Sequence, residues 1–213
     1  IGKGRDILEK YGIKGFYIQS LFRMGYQMMP ILNETLELGR SFVTKEYQKK
    51  TFSLFLLWKG ILYVLLKHPE YRYLIGPVSL SNSFSDIAKA LTVDFMRANF
   101  YNYELAEHIR PRKEFKFKVD RSIDLMTFLK STENDVGKFD RFVQEIDPEF
   151  RTPILLKKYL NLNAEIIGFN VDPKFNYCLD ALIVLDLLDV PMPTIESLSK
   201  EINDNSILER FKK

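Results

Sequence analysis

Residues 35–52 read TLELGRSFVTKEYQKKTF, and within them Glu37 stands three residues ahead of Arg40 with Gly39 between. An acid and a guanidinium so placed serve either as a structural ion pair at a strand end or as part of a reactive site. Side chains alternate faces along a strand, so positions 37 and 40 share a face only if a bulge at Gly39 resets the phase. Lys45, Lys49 and Lys50 follow, just ahead of an apolar helix whose free N–H groups and dipole favour phosphate. Ser79 and Ser81, near the end of the next apolar stretch, offer hydroxyls for a ligand or for water.

Other chemistries fall away. There is no serine nucleophile elbow, no GxxxxGK and no GxGxxG; GKG at Gly2–Gly4 lacks the strand such a loop requires. One cysteine, Cys178, and two histidines, His68 and His108, cannot assemble a zinc site or an internal disulfide. His68 reads as a helix end, His108 as part of a polar segment, and Cys178 as a small buried hydrophobe. Direct attack of an amine on a thioester survives, because it needs only a proton acceptor, a donor to polarise the carbonyl, and a slot for the donor's arm.

The elements that must position these groups follow from the 213-residue pattern. Apolar residues make up 46% and aromatics 14%, enough for one good core. A net charge of +3, from 31 basic and 28 acidic residues, is too small for a dedicated nucleic-acid binder. Residues 35–43 and 71–81 predict strands, the second stopped or bulged at Gly76-Pro77, with the helix 51–67 between them. Trp58 on that helix reads as packing. Ser83 and Asp86 form a capping-box pattern for a helix after them. Thr152-Pro153 reads as a helix opening. EIIGFNV and CLDALIVLDL predict a hairpin, and a polar helix follows from Pro193. Residues 101–150 read as a polar insertion, with KEFKFKV as an edge strand and helical pieces at 123–130 and 136–146. A strand, crossover helix and strand imply a parallel pair, so the expected fold is α/β, a mixed sheet with helices on both faces.

ELGRSFVTKEYQ, LLWKGI and RYLIGPVSLSNSFS, in that order and spacing, resemble the acyltransferases that form ornithine or glycine lipids, a hemolysin-labelled branch of the GNAT superfamily. The acyl-homoserine-lactone synthases share a looser form, the acid three residues before an arginine. The likeness covers 35–98 and extends over 153–190. It implies one GNAT-like domain over 1–213, with 35–98 as its core, 101–150 inserted, and 151–192 supplying the last helix and strand pair. It implies that two neighbouring strands splay and admit a pantetheine arm, with Phe42, Val43, Lys45, Lys49, Lys50, Ser79 and Ser81 on the donor side. Glu37 and Arg40 would contact the acceptor or transition state, Glu37 being the candidate proton acceptor. The superfamily's Q/R-x-x-G-x-G/A loop is absent, so the expected donor is acyl carrier protein rather than acyl-CoA, with no resident cofactor.

The expected activity is transfer of a fatty acyl group from acyl carrier protein to the amine of a small amino acid, in aminolipid synthesis. The expected place is cytoplasmic, peripheral at the inner membrane face. The first strands of this family are missing ahead of GFYIQSLFRM, so the expectation includes an upstream segment and a fused lysophospholipid acyltransferase domain. The alternative is a non-catalytic module that grips acyl carrier protein or an anionic membrane. The basic run around 108–121 (Arg110, Arg112, Lys113, Lys116, Lys118, Arg121), interleaved with Phe115 and Phe117, suits such a surface or a solvated edge strand.

Overall fold

The computed structural model describes residues 1–39, 44–47, 50, 52–117, 127 and 132–211. Its centre is β7 (Cys178–Asp186), eight of whose nine residues are buried, as expected for a strand covered on both faces. It pairs antiparallel with β4 (Tyr73–Leu80) on one side and with β6 (Glu165–Asp172) on the other. Beyond β4 come β3 (Thr35–Glu37), parallel, and β1 (Gly2–Lys3), antiparallel to β3, giving the order β1-β3-β4-β7-β6. The mixed sheet, the β3–β4 crossover and the β6–β7 hairpin agree with the sequence reading.

Helices cover both faces. One face carries Leu36, Leu74, Val78, Leu80, Ala181, Ile183 and Leu185 against α3 (Ser53–Lys67), α4 (Asp86–Asn99), α6 (Val136–Gln144), α7 (Ile154–Leu160) and α8 (Met192–Ile202). The other face, with Ile75, Ile167, Leu182 and Val184, packs on the N-terminal layer: α1 (Gly4–Tyr11), short 3₁₀ turns, α2 (Met29–Asn33), and a two-stranded sheet of β2 (Phe22–Met24) and β5 (Ile109–Pro111). A short helix, α5 (Tyr103–Ala106), precedes β5.

Several local expectations are corrected. The described part of the 35–43 strand ends at Glu37; Leu38 and Gly39 are irregular, and 40–43 lie outside the described residues. Gly76-Pro77 does not interrupt β4, whose register with β7 is unbroken from Tyr73 to Leu80. The reason is alternation: Ile75 bonds toward β3, accepting from the Leu38 amide at 2.8 Å, so Pro77 also turns that way and its missing N–H costs the β7 ladder nothing. β6 carries a bulge between Ile166 and Gly168, while the bulge expected at Gly39 depends on residues 40–43, which lie outside the described residues.

KEFKFKV forms no strand over 113–117. There the Lys113 amide donates to the Asn170 side chain and its carbonyl accepts from the Val171 amide, so contact with β6 is a single clip. The cap of α4 is Ser85, whose hydroxyl accepts from the Ala88 amide, because Ser83 is engaged by Ser81. Thr152 does not cap α7; its buried amide and hydroxyl donate to Asp140, which also takes the Lys157 ammonium. Asp135 caps α6 through the Gly137 and Lys138 amides. The 123–130 helix lies mostly outside the described residues. Within the 101–150 segment, Phe139, Val143 and Phe150 are fully buried in the main core. His68 ends α3, as expected. The side chain of Trp58 lies outside the described part.

Candidate active site

Among the described residues the β3–β4 pairing runs to Glu37 opposite Ile75, with one further bond from the Leu38 amide. Beyond it, alternation turns the Pro77 carbonyl and both backbone groups of Ser79 to the edge that faced β3. A cavity of about 820 Å³ opens along this edge. Leu74 and Val78 belong to one face of β4, Ile75, Pro77 and Ser79 to the other, and all five line it. The cavity therefore passes from face to face at the place where the sheet divides. Its size falls within the usual range for small-molecule sites.

Each face contributes its own chemistry. On the helical side Leu155 and Tyr159 of α7 form the wall, with the Tyr159 hydroxyl pushed up to about 12 by burial. On the N-terminal side Tyr17, Ser20 and Leu21 close over a polar row at the end of the sheet. In that row Ser79 stands opposite Asp180, and Asp180 opposite Asn170. The Ser79 hydroxyl donates to Asp180 Oδ1 at 2.5 Å. The Cys178 thiol lies 3.5 Å from the same oxygen. Burial and the neighbouring Asp180 push that thiol up to about 12, so it is an inert neighbour rather than a nucleophile. Asp172 caps the hairpin by accepting from the Lys174 amide at 2.8 Å.

Residues 3–59 match the model of the acetyltransferase (GNAT) domain family. Over 148 residues the chain is 27% identical to a glycine N(alpha)-acyltransferase of Phocaeicola vulgatus, covering 67% of this chain and 39% of that protein. Over 153 residues it is 27% identical to a glycine N(alpha)-acyltransferase of Bacteroides thetaiotaomicron, covering 68% of this chain and 44% of that protein. The chain thus spans less than half the length of these curated relatives. No solved structure matches it significantly. The mixed α/β sheet is consistent with a GNAT-like fold, and the family model and both relatives support likeness to GNAT N-acyltransferases.

The residues singled out in the sequence are not all brought together. Glu37 is buried at the end of β3 and is not among the cavity's lining residues; its Oε1 accepts from the Ile18 amide at 2.8 Å and its Oε2 from the Tyr17 amide at 3.0 Å. Burial still holds its carboxyl above the usual range against those two bonds. Glu37 thus fixes the turn that carries Tyr17 and Ser20 into the cavity wall. Arg40, Phe42, Val43 and Lys49 lie outside the described residues. Lys45 is exposed, and Lys50 lies over the Tyr47 ring at 4.6 Å, near the start of α3 but away from the cavity. Ser79 is in the cavity. Ser81, bonded to Ser83 on the surface, is not.

Asp180 is the residue that sequence reasoning missed. Its only trace was an acid inside the otherwise apolar run LDALIVL. Among the described residues there is no cluster of acids, cysteines and histidines able to hold a metal, and no helix long and apolar enough to cross a membrane.

Proposed function

We propose that this protein is an N-acyltransferase that moves a fatty acyl group from a carrier-protein thioester to the amine of glycine or another small amino acid, as in aminolipid synthesis. The observation that carries the reading is the cavity that reaches both faces of β4 beyond the last β3–β4 pair among the described residues. An extended pantetheine arm has two amides, and a free strand edge accepts such an arm as it would another strand. The Pro77 carbonyl and Ser79 backbone are the groups on offer. Leu155 and Leu74 suit the start of an acyl chain, while the polar side near Ser79 and Asp180 suits an amine.

The two relatives named for glycine acylation support the choice of acceptor. A carrier-bound donor accords with the missing CoA loop and with exposed Lys45 and Lys50, which would meet an acidic carrier or its phosphate. The thioester supplies the activated carbonyl, so neither a resident cofactor nor a covalent enzyme intermediate is required.

The test incubates the full-length protein with acyl carrier thioester and a panel of amino acids and reads products by mass spectrometry. N-acylglycine, or the N-acyl derivative of another small amino acid, is the expected product. Carrier binding with no amide from any amine would instead favour a non-catalytic carrier-binding module.

A further inference from the structure

The polar row beside the cavity holds a group that the fold does not use. Asp180 is 2% exposed, lies on the cavity wall, and has one oxygen, Oδ1, held by Ser79 and Cys178. Among the described residues its other oxygen, Oδ2, has no hydrogen-bond partner. A buried polar atom left unpaired costs stability, and its persistence beside a cavity marks a place for a ligand's donor.

We propose that Asp180 is the catalytic base that receives the proton of the acceptor's ammonium group, and that Ser79 positions it. The inference rests on the acyl-transfer reading above and adds the group that handles the proton. Glu37, the acid flagged by the sequence, has both oxygens committed to backbone amides and is not among the lining residues, so it is the weaker candidate.

The surroundings of Asp180 suit a base. Ser79 from β4 and Cys178 on its own strand bond to it, Asn170 of β6 stands opposite it, and Asp172, Lys174 and Tyr17 line the same cavity. Asn170 is engaged by the Lys113 amide. No ion pair reaches Asp180 among the described residues. Burial, with Asp172 adding to it, raises the carboxyl above its usual range, while Ser79 and Cys178 pull the other way. A base is most useful when its proton affinity approaches that of the working pH.

The step balances without another reagent. The acceptor enters as an ammonium and gives one proton to Asp180. The freed lone pair attacks the thioester carbonyl, the C–N bond forms and the C–S bond breaks. The second nitrogen proton ends on the departing thiolate, giving an amide and a thiol, and Asp180 releases its proton to solvent.

The test compares wild type with Asp180→Asn, an isosteric change, using acyl carrier thioester and glycine from about pH 6 to about pH 9. The expected loss in kcat/KM near neutrality is a hundredfold or more. The variant's rate should then climb about tenfold per pH unit, because only amine already deprotonated in solution can react. The donor's KM should stay near wild type, showing an intact fold. A second variant, Ser79→Ala, removes the positioning bond, so it should lower kcat more than it changes the donor's KM and should move the acidic limb of the profile upward. An Asp180→Asn enzyme with the wild-type rate overturns the proposal, as does one slower at every pH with an unchanged profile, which is what a structural role produces. Wild type that makes no amide at any pH overturns the acyl-transfer reading itself, and this inference with it.

Discussion

Ser79 and Asp180 occupy directly opposed positions on β4 and β7, and the serine hydroxyl donates to the aspartate at 2.5 Å. The donor stabilises the charged carboxylate and pulls its raised proton affinity back toward the usual carboxylate range. Removing it with Ser79→Ala raises the affinity again. The acidic limb of the acyl-transfer pH profile should therefore move to higher pH. A limb that stays in place or moves down would separate Ser79 from the titrating group.

Asp180 also imposes a pH dependence on stability. Its folded carboxyl is raised above the unfolded value, so the folded state holds more protons in the window between the two. Stability falls as pH rises through that window, which starts near the ordinary carboxylate value of about 4. Asp180→Asn removes this component. Thermal midpoints from about pH 4 to 8 should show the variant gaining on wild type as pH rises, in the usual exchange of stability for an unsatisfied functional group. Glu37 and Asp94 are raised in the same direction, but their contributions cancel in the comparison.

Glu37→Gln tests the other carboxylate. An amide side chain has one accepting oxygen, so the Tyr17 or the Ile18 amide loses its partner. The expected cost is about 1–3 kcal/mol by denaturant unfolding. The same change loosens the turn bearing Tyr17, so KM for the acceptor should rise more than kcat falls. A collapse of kcat with stability untouched would return the proton-transfer role to Glu37.

Gly76 is a point of close backbone approach beside the cavity. A Cβ there would stand 2.2 Å from the Leu38 carbonyl oxygen, which belongs to the rigid end of the β3–β4 pairing. Gly76→Ala should destabilise by about 1–3 kcal/mol and widen the split, lowering acyl transfer. An alanine variant with wild-type unfolding and activity would show that the two strands do not meet as described.

Much of the framework was legible from apolar patterning. The run from Ser53 to Lys67 between two β-rich stretches announces the parallel crossover, and EIIGFNV with CLDALIVLDL announces the hairpin. The site was legible only in part. Ser79 was named for hydrogen bonding to a donor arm, but which strand residue faces it is a matter of register, set by tertiary pairing between positions 101 residues apart. Asp180 reads in isolation as one polar break in a core strand. Among Ser81, Ser83 and Ser85 any could cap the following helix, and the choice falls to Ser85, whose amide is held by Asp147 from 62 residues on. The three-residue strand at Ile109–Pro111 is too short to show a period, whereas the better alternation at 113–117 lacks a ladder partner.

On the proposed function, the edge of β4 beyond Ile75 receives the thioester arm. A structure of the full chain with a non-hydrolysable acyl-pantetheine thioether tests it most directly. The pantetheine amides should pair with the Pro77 carbonyl and the Ser79 backbone, with the sulfur beside Asp180. A ligand bound elsewhere, or a β3 zipped against β4 past Ile75 with the arm excluded, would contradict it.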